Sequence, residues 1–213
     1  MRSSLGHLLP AAGLLILIPH MFSGCGVVQT DVPFAALEFP LGNTAVVDRI
    51  AAFGVPNWSG VQPHNGIDLV VSDSLASSPV VSPAAGTVRR ISLNENSFSN
   101  PVGQFILTVE LRVNAEWTVS LVLEPGTVDP DLRAAQRAAV HVAEGDVVAV
   151  GSPVAELLVG SLGYAHLHYM VHRNGHAVCA YAHSSDAARA IFDTLADRSG
   201  SHVPDGRVCY APQ

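Results

Sequence analysis

Between about residues 41 and 182 the apolar positions come in short runs, and Gly, Pro or Asn breaks one run from the next. The runs Ile67 to Val71, Val80 to Val81, Gly86 to Leu93, Gln104 to Val113, Glu116 to Leu123, Asp146 to Val150 and His166 to His172 are mostly rich in β-branched residues and bounded by turn formers. They predict an all-β core. Between two of these strands, Asp129 to Val140 (DPDLRAAQRAAV) is rich in helix formers and predicts a short helix inserted into a loop. After residue 182 the period changes. Ser184-Ser185-Asp186 supplies helix N-cap candidates, and Ala188, Ile191, Phe192 and Leu195 are spaced three and four apart, which predicts one amphipathic helix.

The N-terminal stretch has another pattern. Arg2 is followed by an apolar segment from Leu8 to Ile18, about 11 residues, where spanning a bilayer needs roughly 20. Phe22-Ser23-Gly24-Cys25 then resembles the lipobox of bacterial lipoproteins, with Cys25 as the residue that is lipidated and becomes the mature N-terminus. An ordinary cleaved signal peptide with a cysteine nearby is the alternative. Residues 25–40, Pro-containing and without periodicity, read as a tether. The expected organisation is therefore a signal peptide over 1–24, a tether over 25–40, one β domain over 41–182 and a helical extension over 183–213.

Charge and cysteine content narrow the class. The formal net charge is −7, and loss of Arg2 with the signal makes it −8, which argues against a nucleic-acid partner. With Cys25 set aside, Cys179 and Cys209 remain as an even pair in a chain sent to an oxidising compartment. A disulfide is the expectation, worth about 3 to 4 kcal/mol in the loop-entropy account; two buried thiols are the alternative.

Three of the ten histidines fall in two compact clusters. His64-Asn65-Gly66-Ile67-Asp68 stands directly ahead of an apolar strand, and His166-Leu167-His168 lies within another. On a strand, His166 and His168 share a face while Leu167 points to the core. Gly66 permits a bend that aims both His64 and Asp68 inward. Two imidazoles and a carboxylate would give three protein ligands, the number that a catalytic zinc site uses with its fourth position left for water.

HNGID resembles the HxGxD motif, and HLHY the HxH motif, of the lysostaphin/LytM-type zinc peptidases, which cut bacterial peptidoglycan. Val81 to Val88 (VSPAAGTV) and Glu144 to Gly151 (EGDVVAVG) resemble two further segments of that family, so the likeness covers roughly Val61 to Val171. It implies an antiparallel β-sheet core of the duplicated hybrid motif type, here with a C-terminal helix. It also implies one zinc ion held by His64, Asp68 and His168, with His166 as a catalytic group beside it, and peptidoglycan peptides as substrate. With the lipobox, it places the protein in the cell envelope, on the periplasmic face of a bacterial membrane.

One position departs from the family pattern. The family has a further histidine on an intervening strand; with Leu123 on the family's leucine, that position is Val122. Valine cannot move a proton or donate a hydrogen bond. Strand alternation puts Glu124 on the same face, about 6 to 7 Å further along, so its carboxylate is a candidate catalytic group. The alternative makes Glu124 a solvated residue before Pro125, and His141 could substitute only if its loop folds back. Two functions follow: a zinc endopeptidase, or a catalytically degenerate domain of the same fold that binds cell wall or regulates a partner hydrolase.

Overall fold

In a computed structural model, residues 33–56, 63–72, 77–97 and 99–210 are described. The signal stretch, the lipobox with Cys25 and the first part of the tether lie outside these residues. Among these residues ten strands and two α-helices follow in order: β1 (Val47–Ala51), β2 (Ile67–Ser72), β3 (Ser77–Val81), β4 (Gly86–Glu95), β5 (Phe105–Arg112), β6 (Trp117–Glu124), α1 (Pro130–Ala138), β7 (Val147–Val148), β8 (Pro153–Leu158), β9 (Tyr164–Arg173), β10 (His176–Val178) and α2 (Asp186–Arg198).

The main sheet runs β1-β2-β9-β6-β5-β4-β7, with β10 on β9, and its pairs are antiparallel. Strands β3 and β8 form a separate antiparallel pair. The expected class, a mainly β antiparallel core with a C-terminal helix, is the one observed. Alternation explains why the sheet has two unlike faces. Along β9, Ala165, Leu167, Tyr169 and Val171 are fully buried, and Leu107, Val109 and Leu111 of β5 and Val119, Leu121 and Leu123 of β6 join them in one core. The residues between them face the other way, and the histidines are among these.

The helices end where their caps dictate. The Asp129 side chain accepts from the backbone N–H of Asp131 and Pro130 opens α1, so that helix is shorter than the predicted Asp129 to Val140. Ser185, from the predicted N-cap group, accepts from Ala188 N at 3.1 Å and starts α2. Ala188, Phe192 and Leu195 of its predicted apolar face are buried, and Ile191 packs against the core half-buried.

One boundary differs from the sequence reading. The tether does not extend to residue 40, because Leu37 is fully buried and Phe39 nearly so. The backbone N–H of Leu37 donates to His183 O at 2.9 Å, and the Phe39 ring meets Phe192 edge-on at 5.0 Å. Apolar side chains at alternate positions find sites on α2 and the segment before it, so this stretch belongs to the domain. Residues 183–210 pack into the same core, since α2 shares it and Phe53 bridges Cys209. The described residues form one compact unit. Cys179 and Cys209 are joined by a disulfide with Cα atoms 5.9 Å apart.

Candidate metal centre

Register brings the two motifs together. Asp68 of β2 lies opposite His168 of β9, and Val70 lies opposite His166, so Asp68, His166 and His168 share the face turned away from the core. His64 comes from the segment between β1 and β2. Its backbone N–H donates to Val55 O at 2.7 Å and its carbonyl accepts from Gly54 N at 2.8 Å, which fixes the ring over Asp68. Gly66 serves a close approach: a Cβ there would lie 2.7 Å from His168 Cε1 and 2.9 Å from the Tyr169 carbonyl oxygen. Any side chain at 66 would displace the His168 ring.

The donor atoms form a small triangle. His64 Nε2 is 3.2 Å from Asp68 Oδ1 and 3.2 Å from His168 Nδ1, and His168 Nδ1 is 2.6 Å from Asp68 Oδ1. Among the described residues this is the one group of three such side chains that could hold a metal ion. A tetrahedral zinc with bonds of about 2.0 to 2.1 Å separates its donors by about 3.3 to 3.4 Å. Two edges of the triangle are close to that value, and the third has the length of a charge-assisted hydrogen bond. The donor set therefore fits zinc.

The outer nitrogens are held as well. His64 Nδ1 is 2.9 Å from the Ala52 carbonyl oxygen, and His168 Nε2 is 3.2 Å from Asn65 Oδ1. Both partners are acceptors, so each outer nitrogen carries hydrogen, and in the neutral ring the lone pair is on the nitrogen facing the centre. Two imidazole lone pairs and a carboxylate then converge, which is unfavourable without a cation among them.

The electrostatics of the site's own side chains have the same sense. For His64, burial opposes the charged ring, but the hydrogen bond and charge of Asp68 and the Ala52 carbonyl raise its pKa above the ordinary value. Burial acts to raise Asp68, yet the charge of His166 and the hydrogen bonds and charge of the neighbouring imidazoles hold it well below the usual carboxylate range. At His166 burial is overcome by the charge of Asp68 and by the hydrogen bond and charge of Glu124, which push its pKa up to about 9. The site attracts positive charge.

His166 stands outside the triangle. Its Nε2 is 4.0 Å from Asp68 Oδ1 and 3.4 Å from Glu124 Oε2, so it lies beside the three donors. Glu124 is not a solvated turn residue, since it ends β6 opposite His166 and its side chain is 17% exposed. Val122 is buried opposite His168 and offers no polar atom to the site. His141 is exposed in the segment between α1 and β7, its backbone N–H bonded to Val154 O of β8. His172 shares the face of His166 and His168 further along β9, and burial lowers its pKa. Three contributors were missed in the sequence. Asn65 was within the motif and could have been asked for a role; the Ala52 carbonyl and Asn96, whose Nδ2 donates to Glu124 Oε2 at 2.7 Å, had no local signal.

No protein-family model matches the chain. No curated protein matches it by sequence. Among solved structures, the chain is similar to a zinc-containing peptidase from Vibrio cholerae, with 22% identity, a TM-score of 0.44, and 68% of this chain matched to 39% of the other. It is also similar to a Pseudomonas aeruginosa protein provisionally described as an M23 peptidase, with 17% identity, a TM-score of 0.37, and 68% of this chain matched to 52% of the other. The match thus spans about two fifths and about half of those two chains. Neither likeness is close enough to assign an activity.

Proposed function

We propose that this protein is a zinc-dependent endopeptidase of the lysostaphin/LytM type, acting on the peptide cross-links of bacterial peptidoglycan. The observation that carries the reading is the convergence of His64 Nε2, Asp68 Oδ1 and His168 Nδ1 within one small triangle. Three protein donors leave a coordination position open, the mark of a catalytic rather than a structural zinc site. Zinc bound there would activate a water and polarise the scissile carbonyl. The Ala52 carbonyl and Asn65 hold the ligand rings in their metal-ready orientation. His166, beside the triangle and not part of it, is placed to hold or move a proton where the water attacks, or to stabilise the oxyanion that forms.

Ligand counting sets the test. The purified domain should take up one zinc ion; His64→Ala, Asp68→Ala and His168→Ala should each lose it, whereas His166→Ala should keep it and lose cleavage of cross-linked muropeptides. A wild-type domain that takes up no stoichiometric zinc would overturn the reading.

Val122 supports a second reading. If the buried valine leaves the site without a needed proton donor, the domain binds cell wall or regulates a partner hydrolase; zinc uptake without cleavage, unrestored by Val122→His, would favour this.

The N-terminal pattern supports export and anchoring by a lipid on Cys25, on the periplasmic face of a bacterial membrane, with no nucleic-acid partner. Labelled fatty acid should enter the wild-type chain and not Cys25→Ser. A wild-type chain that takes up no label excludes the lipid anchor.

A further inference from the structure

The site face of β6 and β9 is registered so that each metal-side residue has a definite opposite number. Val122 faces His168, and Glu124 faces His166. A carboxylate at position 124 therefore stands beside the non-ligand histidine and not beside the three donors. Its contact with His166 is direct, with Glu124 Oε2 3.4 Å from His166 Nε2. The same oxygen accepts a hydrogen bond from Asn96 Nδ2 at 2.7 Å. Asn96 follows β4, and its backbone N–H donates to Gln104 O at 2.8 Å, which closes the β4 to β5 connection. The oxygen that meets His166 is thus also held by a residue fixed in the fold.

This arrangement solves a problem that the triangle creates. His166 Nε2 is also 4.0 Å from Asp68 Oδ1. With Asp68 as its one acidic neighbour, the imidazole would be drawn onto a metal ligand, competing for the oxygen that the metal needs. Glu124 balances that pull at shorter range and leaves Asp68 to the centre. A histidine at 122 would be opposite His168, whereas Glu124 reaches His166 from the next outward-facing position on the same strand.

We propose that Glu124, held by Asn96, is the positioning residue for His166 and takes the place of the histidine that the family resemblance puts at Val122. The inference rests on the peptidase reading. Glu124 fixes the ring by accepting from Nε2–H, and Asn96 fixes Glu124. The polar partner of His166 has moved along the strand, and the site is competent without a histidine at 122.

The zinc-loaded protein tests this with muropeptide cleavage and with NMR of imidazole-labelled histidine. Glu124→Ala should lower kcat about 100-fold, the scale of a misplaced catalytic group, with KM within twofold or so and zinc stoichiometry unchanged. Asn96→Ala should lower kcat by a smaller factor. The His166 Nε2–H signal, protected from exchange in the wild type, should be lost in Glu124→Ala. Glu124→Gln keeps an oxygen that accepts from both His166 Nε2–H and Asn96 Nδ2, so it should keep the fold, the His166 signal and most of the kcat. Glu124→Leu, of similar size and without an acceptor, should lose the signal and most of the kcat, so a failure of the alanine variant to fold would not decide the matter. Full kcat in Glu124→Leu, or an unchanged His166 signal in a folded Glu124→Ala, overturns the inference and leaves the peptidase reading standing. A zinc-loaded wild type that cleaves nothing overturns both.

Discussion

The triangle depends on a residue that contributes no donor. With a Cβ at 66 only 2.7 Å from His168 Cε1 and 2.9 Å from the Tyr169 carbonyl oxygen, the ring has nowhere to remain. Tyr169 is fully buried in β9 and that strand cannot retreat, so the imidazole must move. Gly66→Ala should therefore weaken zinc binding roughly 10-fold or more, the usual scale for disturbing a ligand's orientation, while the protein stays folded. Competition with a metal-binding dye, run beside a thermal melt, separates the two effects; undiminished affinity in a folded variant would show that the ring has another resting place. The glycine was visible in the sequence as part of HNGID, but the reason for it was not: a bend was expected there, and the structure shows a close approach.

At the scale of elements, what could be read in advance was what repeats locally. Strands β5 and β9 alternate over eight and ten residues, so their core faces and the shared face of His166 and His168 follow from the sequence, whereas β6 is buried without a break from Val119 to Leu123. Strand β1 (VDRIA) was missed because Asp48 and Arg49 interrupt its apolar pattern, and its place is secured from far along the chain, by Ile50 N donating to Ser199 Oγ at 2.8 Å. Strand β8 was missed as well; it pairs with β3 outside the main sheet and meets Val140 through a bridge at Ala155. The three-residue β10 was legible after all: Asn174 and Gly175 both have positive φ, and Asn-Gly between apolar runs is a strong hairpin signal. Among the site residues, His64, Asp68, His166 and His168 stood out because motif spacing is a local property. Glu124 was placed on the right face by alternation, but its direction depended on Asn96, 28 residues away in the chain, which no period reveals.

Over the whole molecule, the C-terminal segment supports the metal centre through a short chain of contacts. Phe53 N donates to Val208 O at 3.0 Å and Tyr210 N donates to Phe53 O at 2.9 Å, so residues 208–210 lie along the segment that follows β1. The neighbouring Ala52 N donates to His202 O at 3.1 Å, and the Ala52 carbonyl accepts from His64 Nδ1. The Cys179 to Cys209 disulfide ties this C-terminal segment to the region just after β10. Removing the crosslink should cost about 3 to 4 kcal/mol by loop entropy, and it should also let residues 208–210 move away from Phe53. The Ala52 carbonyl then loses its fixed position, and His64 loses the acceptor that orients it. Cys179→Ser with Cys209→Ser should accordingly lower the melting temperature and weaken zinc affinity about 10-fold, measured at a temperature where circular dichroism shows the variant fully folded. A drop in melting temperature with unchanged zinc affinity would mean that β1 and β2 hold Ala52 by themselves, and that the C-terminal segment stabilises the fold without supporting the site.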